Sequence, residues 1–270
     1  GPGPVMKGVD YTAKLIPSGT FTMGCTSEQS NCDGDETPTH KVTLTKDFYM
    51  MESEVTQELY QRVMNRNPSR FQGLNRPVEK VNWFDAVKFA NKLSSMEGLE
   101  QCYTINGNTV TWSKKECTGW RLPTEAEWEY VASNYTKRSP RIFVWGDAYE
   151  IPQSGFGNIA DKAAQGKAKK FIADRSDGHA GLAPVGFSTQ VGSISDLSGN
   201  VSEWVHDYYS VSFPTEQPLA DYQGPTAGRQ HFIKGSNYLS SSWTELRSSY
   251  REPIDGARTD VGFRIARYVF

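Results

Sequence analysis

Residues 121–130 read Arg-Leu-Pro-Thr-Glu-Ala-Glu-Trp-Glu-Tyr, and this stretch does most to decide the fold. Thr124 and Glu127 stand three positions apart, directly behind a proline, which is the spacing of a capping box at the start of a helix. The sequence therefore predicts a short helix that begins after Thr124 and runs through Trp128 and Tyr130.

Upstream of this stretch the apolar residues change from a strand-like to a helical spacing. Alternation over 20–23 and 41–45 predicts two strands. A helix is expected over about 56–64, and Asn82 is placed to cap a longer one. An Asn-Gly pair within 103–112 favours a β-hairpin there, because glycine tolerates the positive φ of a tight turn.

Downstream of Val131 the helical periodicity stops. About half of the chain is then rich in Gly, Ser, Asn and aromatic residues, with only short apolar runs. The sequence predicts an α+β fold of low regular secondary structure, with few helices, all of them early, and short antiparallel strands. Connections this long need tethers such as disulfides or bound ions.

Composition narrows the class of protein. The chain has 270 residues with 29 Lys and Arg against 31 Asp and Glu, a formal net charge of -2. This balance lacks the basic footprint of a nucleic-acid-binding protein, so no nucleic acid is expected as a partner. No run approaches the roughly 20 apolar residues that span a bilayer. Residues 1–10 are interpreted as a vector remnant and flexible N-terminus, and 11–270 as one domain. A lipoprotein anchor upstream remains compatible with this.

The four cysteines suggest two disulfides. Cys25 and Cys32 flank a polar loop, and Cys102 and Cys117 bracket the expected hairpin, where a disulfide across its base is geometrically reasonable. Neither pair is spaced as CxxC and no histidine stands at zinc-finger spacing, so a structural zinc site is not expected. Two disulfides favour an oxidising compartment, the periplasm or cell surface. Four reduced cysteines in a cytoplasmic protein are the alternative.

Two segments are rich in the oxygen donors that calcium prefers, namely carboxylates, amide side chains and backbone carbonyls. Ordinary turns use the same residue types, so the pattern alone leaves both sites open. The first candidate ligand set is Asp196, Gly199, Val201 and Glu203, and the second is Asn158, Ile159, Asp177 and His179.

Eight further motifs stand in order around residues 121–130. Together, the nine motifs resemble those of the formylglycine-generating enzyme, or sulfatase-modifying factor, family, a variant of the C-type lectin fold. The motifs are Phe-Thr-Met-Gly at 21–24, Glu-Thr-Pro-Thr-His-Lys-Val at 36–42, Glu-Val-Thr at 54–56, Arg-Pro-Val-Glu-Lys-Val-Asn-Trp-Phe-Asp-Ala at 76–86, Val-Trp-Gly at 144–146, Ala-Pro-Val-Gly at 183–186, Gly-Asn-Val-Ser-Glu-Trp at 199–204 and Val-Gly-Phe-Arg at 261–264.

The resemblance implies two bound calcium ions. Residue by residue, the family's calcium positions fall on the two sets given above. The chain departs from the family at Asp196, where asparagine is frequent, and a carboxylate should bind calcium at least as well.

The resemblance also bears on catalysis. The oxidase members hold copper(I) with two cysteines, since soft thiolates select that ion. The aligned positions here are Ser240 and Glu245, and Ser202 replaces an active-site tryptophan. Copper is therefore not expected, and formylglycine generation is not expected either. The iron-dependent sulfoxide synthases use a three-histidine site with an extra N-terminal domain, and the four histidines here show no such spacing.

The segment 236–243 is rich in Ser, Asn, Tyr and Trp, a composition that suits an adaptable recognition surface. In relatives the corresponding segment lines the ligand-facing side, and in some it is a hypervariable patch. Alternatives are a degenerate pocket without a ligand, an oxidoreductase of the same family with altered metal chemistry, and a structural component of an envelope complex. The leading hypothesis is a calcium-stabilised, non-oxidase module of an exported bacterial protein that binds a peptide, protein or glycan through Asn237, Tyr238, Ser240, Trp243, Tyr250 and Arg251.

Overall fold

The structure, a computed structural model, describes residues 11–133, 135–137, 141–154, 156–216 and 218–269. The interpretation of residues 1–10 lies outside this part of the chain. The described residues contain four α-helices, which are α1 (Gln57–Met64), α2 (Trp83–Met96), α3 (Glu125–Ala132) and α4 (Trp243–Leu246). The fourteen strands are β1 (Ala13–Ile16), β2 (Gly19–Met23), β3 (His40–Leu44), β4 (Phe48–Met51), β5 (Tyr103–Asn106), β6 (Thr109–Trp112), β7 (Thr189–Val191), β8 (Ile194–Ser195), β9 (Ser202–Tyr208), β10 (Leu219–Ala220), β11 (His231–Lys234), β12 (Glu252–Ile254), β13 (Val261–Gly262) and β14 (Ala266–Tyr268).

The helix starts follow from capping, as the sequence predicted for α2 and α3. Thr56 caps α1 by accepting the backbone N–H of Leu59. Asn82 caps α2, and Thr124 caps α3 in a reciprocal box with Glu127. Each cap accepts one of the N–H groups that has no partner inside the helix, so these residues fix where the helices begin. No described helix has both the length and the apolar content to cross a bilayer.

The strands form three small sheets and two hairpins. The sheet orders are β1-β4-β14, β10-β3-β2 and β12-β11-β9-β13, and the predicted hairpin is β5-β6. Most of the described strand pairs are antiparallel, as predicted, whereas β10 pairs with β3 and β13 with β9 in parallel. Both parallel pairs involve two-residue strands joined to their partners by long connections, which free the chain from hairpin geometry.

The expectation that all helices are early is corrected. The short helix α4 lies near the C-terminal end, capped by Ser242, which forms a reciprocal box with Glu245. Four residues are too few to show a helical periodicity, so the sequence pattern could not reveal this helix.

The apolar core has two main parts. One is centred on α1 and α2, where Tyr60 and Phe89 stack with ring centroids 5.5 Å apart and Phe263 packs edge-on. The other contains Trp128 of α3 with Phe48 and other residues of the sheets. The two parts bury the faces of the small sheets together with apolar residues of the connections, such as Val81 and Leu197.

Helix α3 is buried along all eight of its residues, including three glutamates. Glu125 pairs with Arg251, Glu127 with Arg121, and Glu129 with Lys234. A buried carboxylate is tolerated only when a counter-charge and hydrogen bonds replace its water. The acidic motif that decides the fold is therefore a set of internal ion pairs.

Both cysteine pairs are joined in disulfides. Cys25 bonds Cys32, and Cys102 bonds Cys117 across the base of the β5-β6 hairpin, with Cα atoms 5.5 Å apart. Every cysteine of the chain is thus in a disulfide, and none is free.

Candidate functional site

The segment after β11 is held rigidly against the oxygen-rich segment at 196–203. Gly235 has a φ of +83°, and a Cβ there would lie 2.8 Å from the Leu197 carbonyl oxygen. The Ser236 hydroxyl lies 2.7 Å from that of Ser198 and accepts the N–H of Gly199. This close approach needs glycine, and it positions the chain that follows.

Ser240 and Glu245, which the resemblance aligns with the thiolates of the oxidases, serve the local fold. The Ser240 hydroxyl accepts the N–H of Asn237. The Glu245 carboxylate accepts the N–H groups of Ser241 and Ser242 and the hydroxyl of Ser242. Both side chains therefore brace the loop that leads into α4.

A cavity of about 290 Å³ opens beside α4. Tyr149 and Trp243 form its aromatic wall, with ring centroids 5.5 Å apart and nearly edge-to-face. Phe143 supports both rings from below, at 5.0 and 5.6 Å. Ile151 also lines the cavity. The remaining lining residues are Glu150, Gln153, Ile172, Asp174, Arg175 and Ser241.

The charge of this cavity is negative. Arg175 is buried and already bonded to the Asp161 carboxylate at 3.0 Å and to two backbone carbonyls. Glu150 and Asp174 are exposed, and neither has an ion-pair partner within the described ranges. An aromatic wall beside two free carboxylates suits a cation, since the ring faces and the carboxylates attract it together.

A second cavity, of about 440 Å³, lies on the other side of the same segment. Tyr238 and Leu239 contribute to it, whereas Ser241 and Trp243 contribute to the first. Its charged lining is basic, and the other residues are small or apolar. The lining comprises Phe71, Arg76, Lys167, Gly178, His179, Ala180, Gly181, Leu182, Tyr238 and Leu239.

The two oxygen-rich segments meet in space. The Asn158 carbonyl oxygen accepts the N–H of Asn200 at 2.7 Å, and a Cβ on Gly199 would lie 2.6 Å from the Asn158 nitrogen. The Asp177 carboxylate accepts the N–H groups of Ile159 and His179. Asn158, Ile159, Asp177 and His179 are therefore close to one another, and this set is a neighbour of the segment that contains Gly199.

The family described as the sulfatase-modifying factor enzyme 1-like domain matches residues 10–269. The chain belongs to this family. It is 30% identical to the chaperone protein LppX of Paenibacillus barcinonensis, over 94% of this chain and 88% of that protein. It is also 30% identical to the formylglycine-generating enzyme of Mus musculus, over 93% of this chain and 73% of that enzyme.

Solved structures agree with this membership. The Treponema denticola variable protein 1 superposes with a TM-score of 0.75 and 26% identity, covering 100% of this chain and 99% of that one. PvdO from Pseudomonas aeruginosa gives 0.71 at 24% identity, over 100% and 99%, which shows the fold alone. The fold is the C-type-lectin-like variant that the motifs predicted.

Within this family fold, the six residues of the predicted recognition surface do not form one open patch. The Asn237 amide donates to Ser202 and to Asp260, and Ser240 is 3% exposed. Arg251 is buried, with its guanidinium on the Glu125 carboxylate. The polar groups of these three predicted ligand residues are therefore already bonded inside the protein. Trp243 lines the first cavity, Tyr238 the second, and Tyr250 is half-buried.

Tyr149, Glu150 and Asp174 were not predicted from the sequence. The motif at 144–146 lies next to the first two, and it marked the region as a family landmark. They approach Trp243 from positions 69 to 94 residues earlier in the chain, and single-sequence periodicity does not report such long-range proximity.

The predicted calcium set that contains Asn158 fits a hard cation. The Asn158 side-chain oxygen is buried and has no hydrogen-bond partner, while its nitrogen donates to Gly181 at 2.7 Å. Burial raises the pKa of Asp177, and the nearby Asp161 carboxylate contributes to the increase. A calcium ion would satisfy the free amide oxygen and neutralise the carboxylate. Asn158, Ile159, Asp177 and His179 are the residues that would hold it.

In the predicted calcium set that contains Asp196 and Glu203, the side chains are already bonded, and the unpartnered carboxylate beside them belongs to another residue. Asp196 and Glu203 are buried and bonded, Asp196 to three backbone N–H groups and Glu203 to Arg264 and Trp128. Glu54 is fully buried beside them, and neither of its carboxylate oxygens has a partner. Burial raises the pKa of Glu54 well above its ordinary value, and the Asp196 carboxylate contributes.

A third acidic group is a surface turn. Asp33, Asp35 and Glu36 bring carboxylate oxygens within 4.8 Å of one another. Glu36 is already paired with Arg247 through both oxygens, at 2.6 and 2.8 Å. This turn is therefore explained by the ion pair.

Proposed function

We propose that this chain is a calcium-stabilised, non-oxidase binding domain of the sulfatase-modifying factor family. It holds a peptide or protein partner at the Trp243 cavity by a basic side chain. The single observation that carries the proposal is the aromatic pair of Tyr149 and Trp243 beside two free carboxylates.

The absence of thiols supports a function other than copper-dependent oxidation. Copper(I) needs soft sulfur ligands, and all four cysteines are in disulfides. Ser240 and Glu245 offer only hard oxygen donors at the aligned positions, and both are bonded within the loop. The same region is thus shaped for binding, with the rigid loop presenting the cavity wall.

The chemistry of the cavity selects the ligand class. A lysine or arginine side chain brings an apolar stem for the aromatic wall and a cation for Glu150 and Asp174. A volume of about 290 Å³ admits a side chain and its neighbouring backbone, and excludes a folded domain. The partner therefore inserts an exposed basic residue from an extended segment.

Two relatives support a binding role. One is named a chaperone protein, which implies contact with another polypeptide, and another is named a variable protein. The two disulfides suit an oxidising compartment. We infer an exported protein of the periplasm or cell surface.

The experiment is a binding screen with a library of short peptides that differ at one central residue. Peptides centred on lysine or arginine should bind more tightly than those centred on glutamate or alanine. Trp243→Ala should weaken binding about tenfold or more, as expected for an aromatic anchor. Glu150→Gln combined with Asp174→Asn should remove the preference for basic residues.

Phe71→Ala is the matched control, since Phe71 is a partly exposed aromatic of the second cavity. Equal effects of the two aromatic variants, or equal binding of acidic and basic peptides, would contradict the assignment of this cavity. Copper-dependent turnover of a cysteine peptide by the wild-type chain would contradict the non-oxidase role.

A further inference from the structure

Glu54 lies between β4 and α1, in a segment fixed on both sides by backbone hydrogen bonds. The N–H of Val55 donates to the carbonyl of Phe263, and the N–H of Val78 donates to that of Val55. The Glu54 side chain is 0% exposed, and both carboxylate oxygens lack a hydrogen-bond partner. Burying a carboxylate costs free energy when no hydrogen bond or counter-charge replaces the water it loses. Glu54 therefore lacks a cation or a hydrogen-bond donor that would offset this cost.

The charges around Glu54 do not balance. The charged groups that act on it are the carboxylates of Asp196 and Glu203 and the guanidinium of Arg264. All four side chains are buried, none more than 1% exposed. With all three carboxylates ionised, three negative charges against one positive charge give a net charge of about -2 in a medium of low dielectric constant. One divalent cation would neutralise it.

Unused acceptor capacity is concentrated on Glu54. A carboxylate has about four lone-pair sites. Asp196 uses three of them for the N–H groups of Gly186, Phe187 and Ser188. Glu203 also uses three, two for Arg264 and one for Trp128.

Glu54 keeps all four lone-pair sites of its carboxylate unused. The two carboxylates that the family resemblance implied as ligands thus have little capacity left. The carboxylate that the resemblance did not include has the most.

We propose that Glu54 is a ligand of a hard divalent cation, calcium, and the main anionic ligand of the site it shares with Asp196 and Glu203. The carbonyl oxygens of Gly199 and Val201 complete the oxygen set. Arg264 keeps Glu203 in place beside the ion. This inference rests on the proposed calcium, and it is separate from the partner proposed for the Trp243 cavity.

The substitution Glu54→Gln distinguishes two roles of Glu54, a charged calcium ligand and a buried, protonated carboxylic acid. Glutamine has the shape of a protonated glutamate and lacks the charge. If Glu54 binds the ion, calorimetric titration of the chelator-treated variant with calcium chloride shows one site weakened about tenfold or more, since even supporting residues cost that much. If Glu54 is a buried acid, both calcium sites titrate as in the wild type, and the proposal is overturned.

Glu79→Gln is the matched control. Glu79 is a buried glutamate whose Oε2 also lacks a partner, but its Oε1 accepts the N–H of Phe71. This variant should leave both calcium affinities unchanged. Asp177→Asn should weaken the other site, which assigns the two titration steps. A wild-type chain that binds no calcium would refute the proposed calcium itself, whereas normal binding by the Glu54 variant refutes only the role of Glu54.

A measurement on the wild-type protein tests the role of Glu54 without requiring that a variant folds. A crystal structure grown with calcium chloride should place a Glu54 oxygen about 2.3–2.6 Å from the ion. An ion bound by Asp196 and Glu203 with Glu54 outside that range would refute the proposal.

Discussion

Replacing Glu127 with glutamine tests whether α3 is held by its internal ion pairs. Two hydrogen bonds join Arg121 to Glu127, at 2.7 and 2.9 Å, and their side chains are 0% and 2% exposed. Glutamine keeps the side-chain length and an oxygen that can accept the N–H of Thr124 in the capping box. The substitution therefore removes the charge and leaves the cap.

The expected loss is large because it leaves a buried guanidinium without its counter-charge. Removing one partner of a buried pair costs about 3–5 kcal/mol. At roughly 2–4 °C per kcal/mol for a chain of this size, the melting temperature should fall by roughly 6–20 °C. The rings of Trp112 and Tyr268 lie 4.5 and 4.4 Å from the Arg121 guanidinium, and they offset part of the loss.

Urea unfolding at neutral pH with saturating calcium measures the difference. Glu100→Gln is the control, because the Lys114–Glu100 pair is close but 62% and 35% exposed. Exposed pairs contribute only about 0–1 kcal/mol. If the two variants lose stability equally, the interpretation of α3 as a helix held by buried charges is wrong.

Two further perturbations check other parts of the fold. Cys102→Ser with Cys117→Ser opens a loop with a sequence separation of 15 and should cost about 3 kcal/mol in urea unfolding, and an unchanged midpoint would argue against that tether. Burial lowers the pKa of His206 to about 3, so the folded chain keeps this ring neutral. The stability that this neutral ring provides is present above the unfolded pKa of about 6.5 and is lost as the pH falls. Relative to His206→Gln, the wild type should lose about 1.4 kcal/mol per pH unit between pH 6 and 4, and parallel profiles would contradict this.

Local signals in the sequence predicted the elements that local chemistry determines. Asn82 and Thr124 cap their helices where the pattern placed them, since a cap needs only neighbours three residues away. The hairpin at 103–112 is confirmed for the same reason, because the Asn-Gly turn sets its register. The order of the nine motifs then supplied the fold, which no single pattern could.

Long-range partners could not be predicted. Glu36 and Arg247 form an ion pair although they are 211 positions apart. The local sequence around each residue contains no signal of the other. The same limit made Arg251 look like a surface ligand, whereas it is the buried partner of Glu125. Polar residues in a loop-rich segment bond to one another in the folded chain, and composition alone does not show which of them do so.

The pairing of charges separates structural carboxylates from functional ones. In the part of the chain that the structure describes, the buried glutamates of α3 and Glu36 each have a cation of their own. Glu79 is buried without a cation, but one of its oxygens accepts the N–H of Phe71. Glu54 differs because both of its carboxylate oxygens lack a hydrogen-bond partner. At the cavity, the exposed Glu150 and Asp174 have no ion-pair partner among the described residues. Glu54 is therefore suited to bind a metal ion that the folded chain encloses. Glu150 and Asp174 are suited to bind a cationic side chain of a partner.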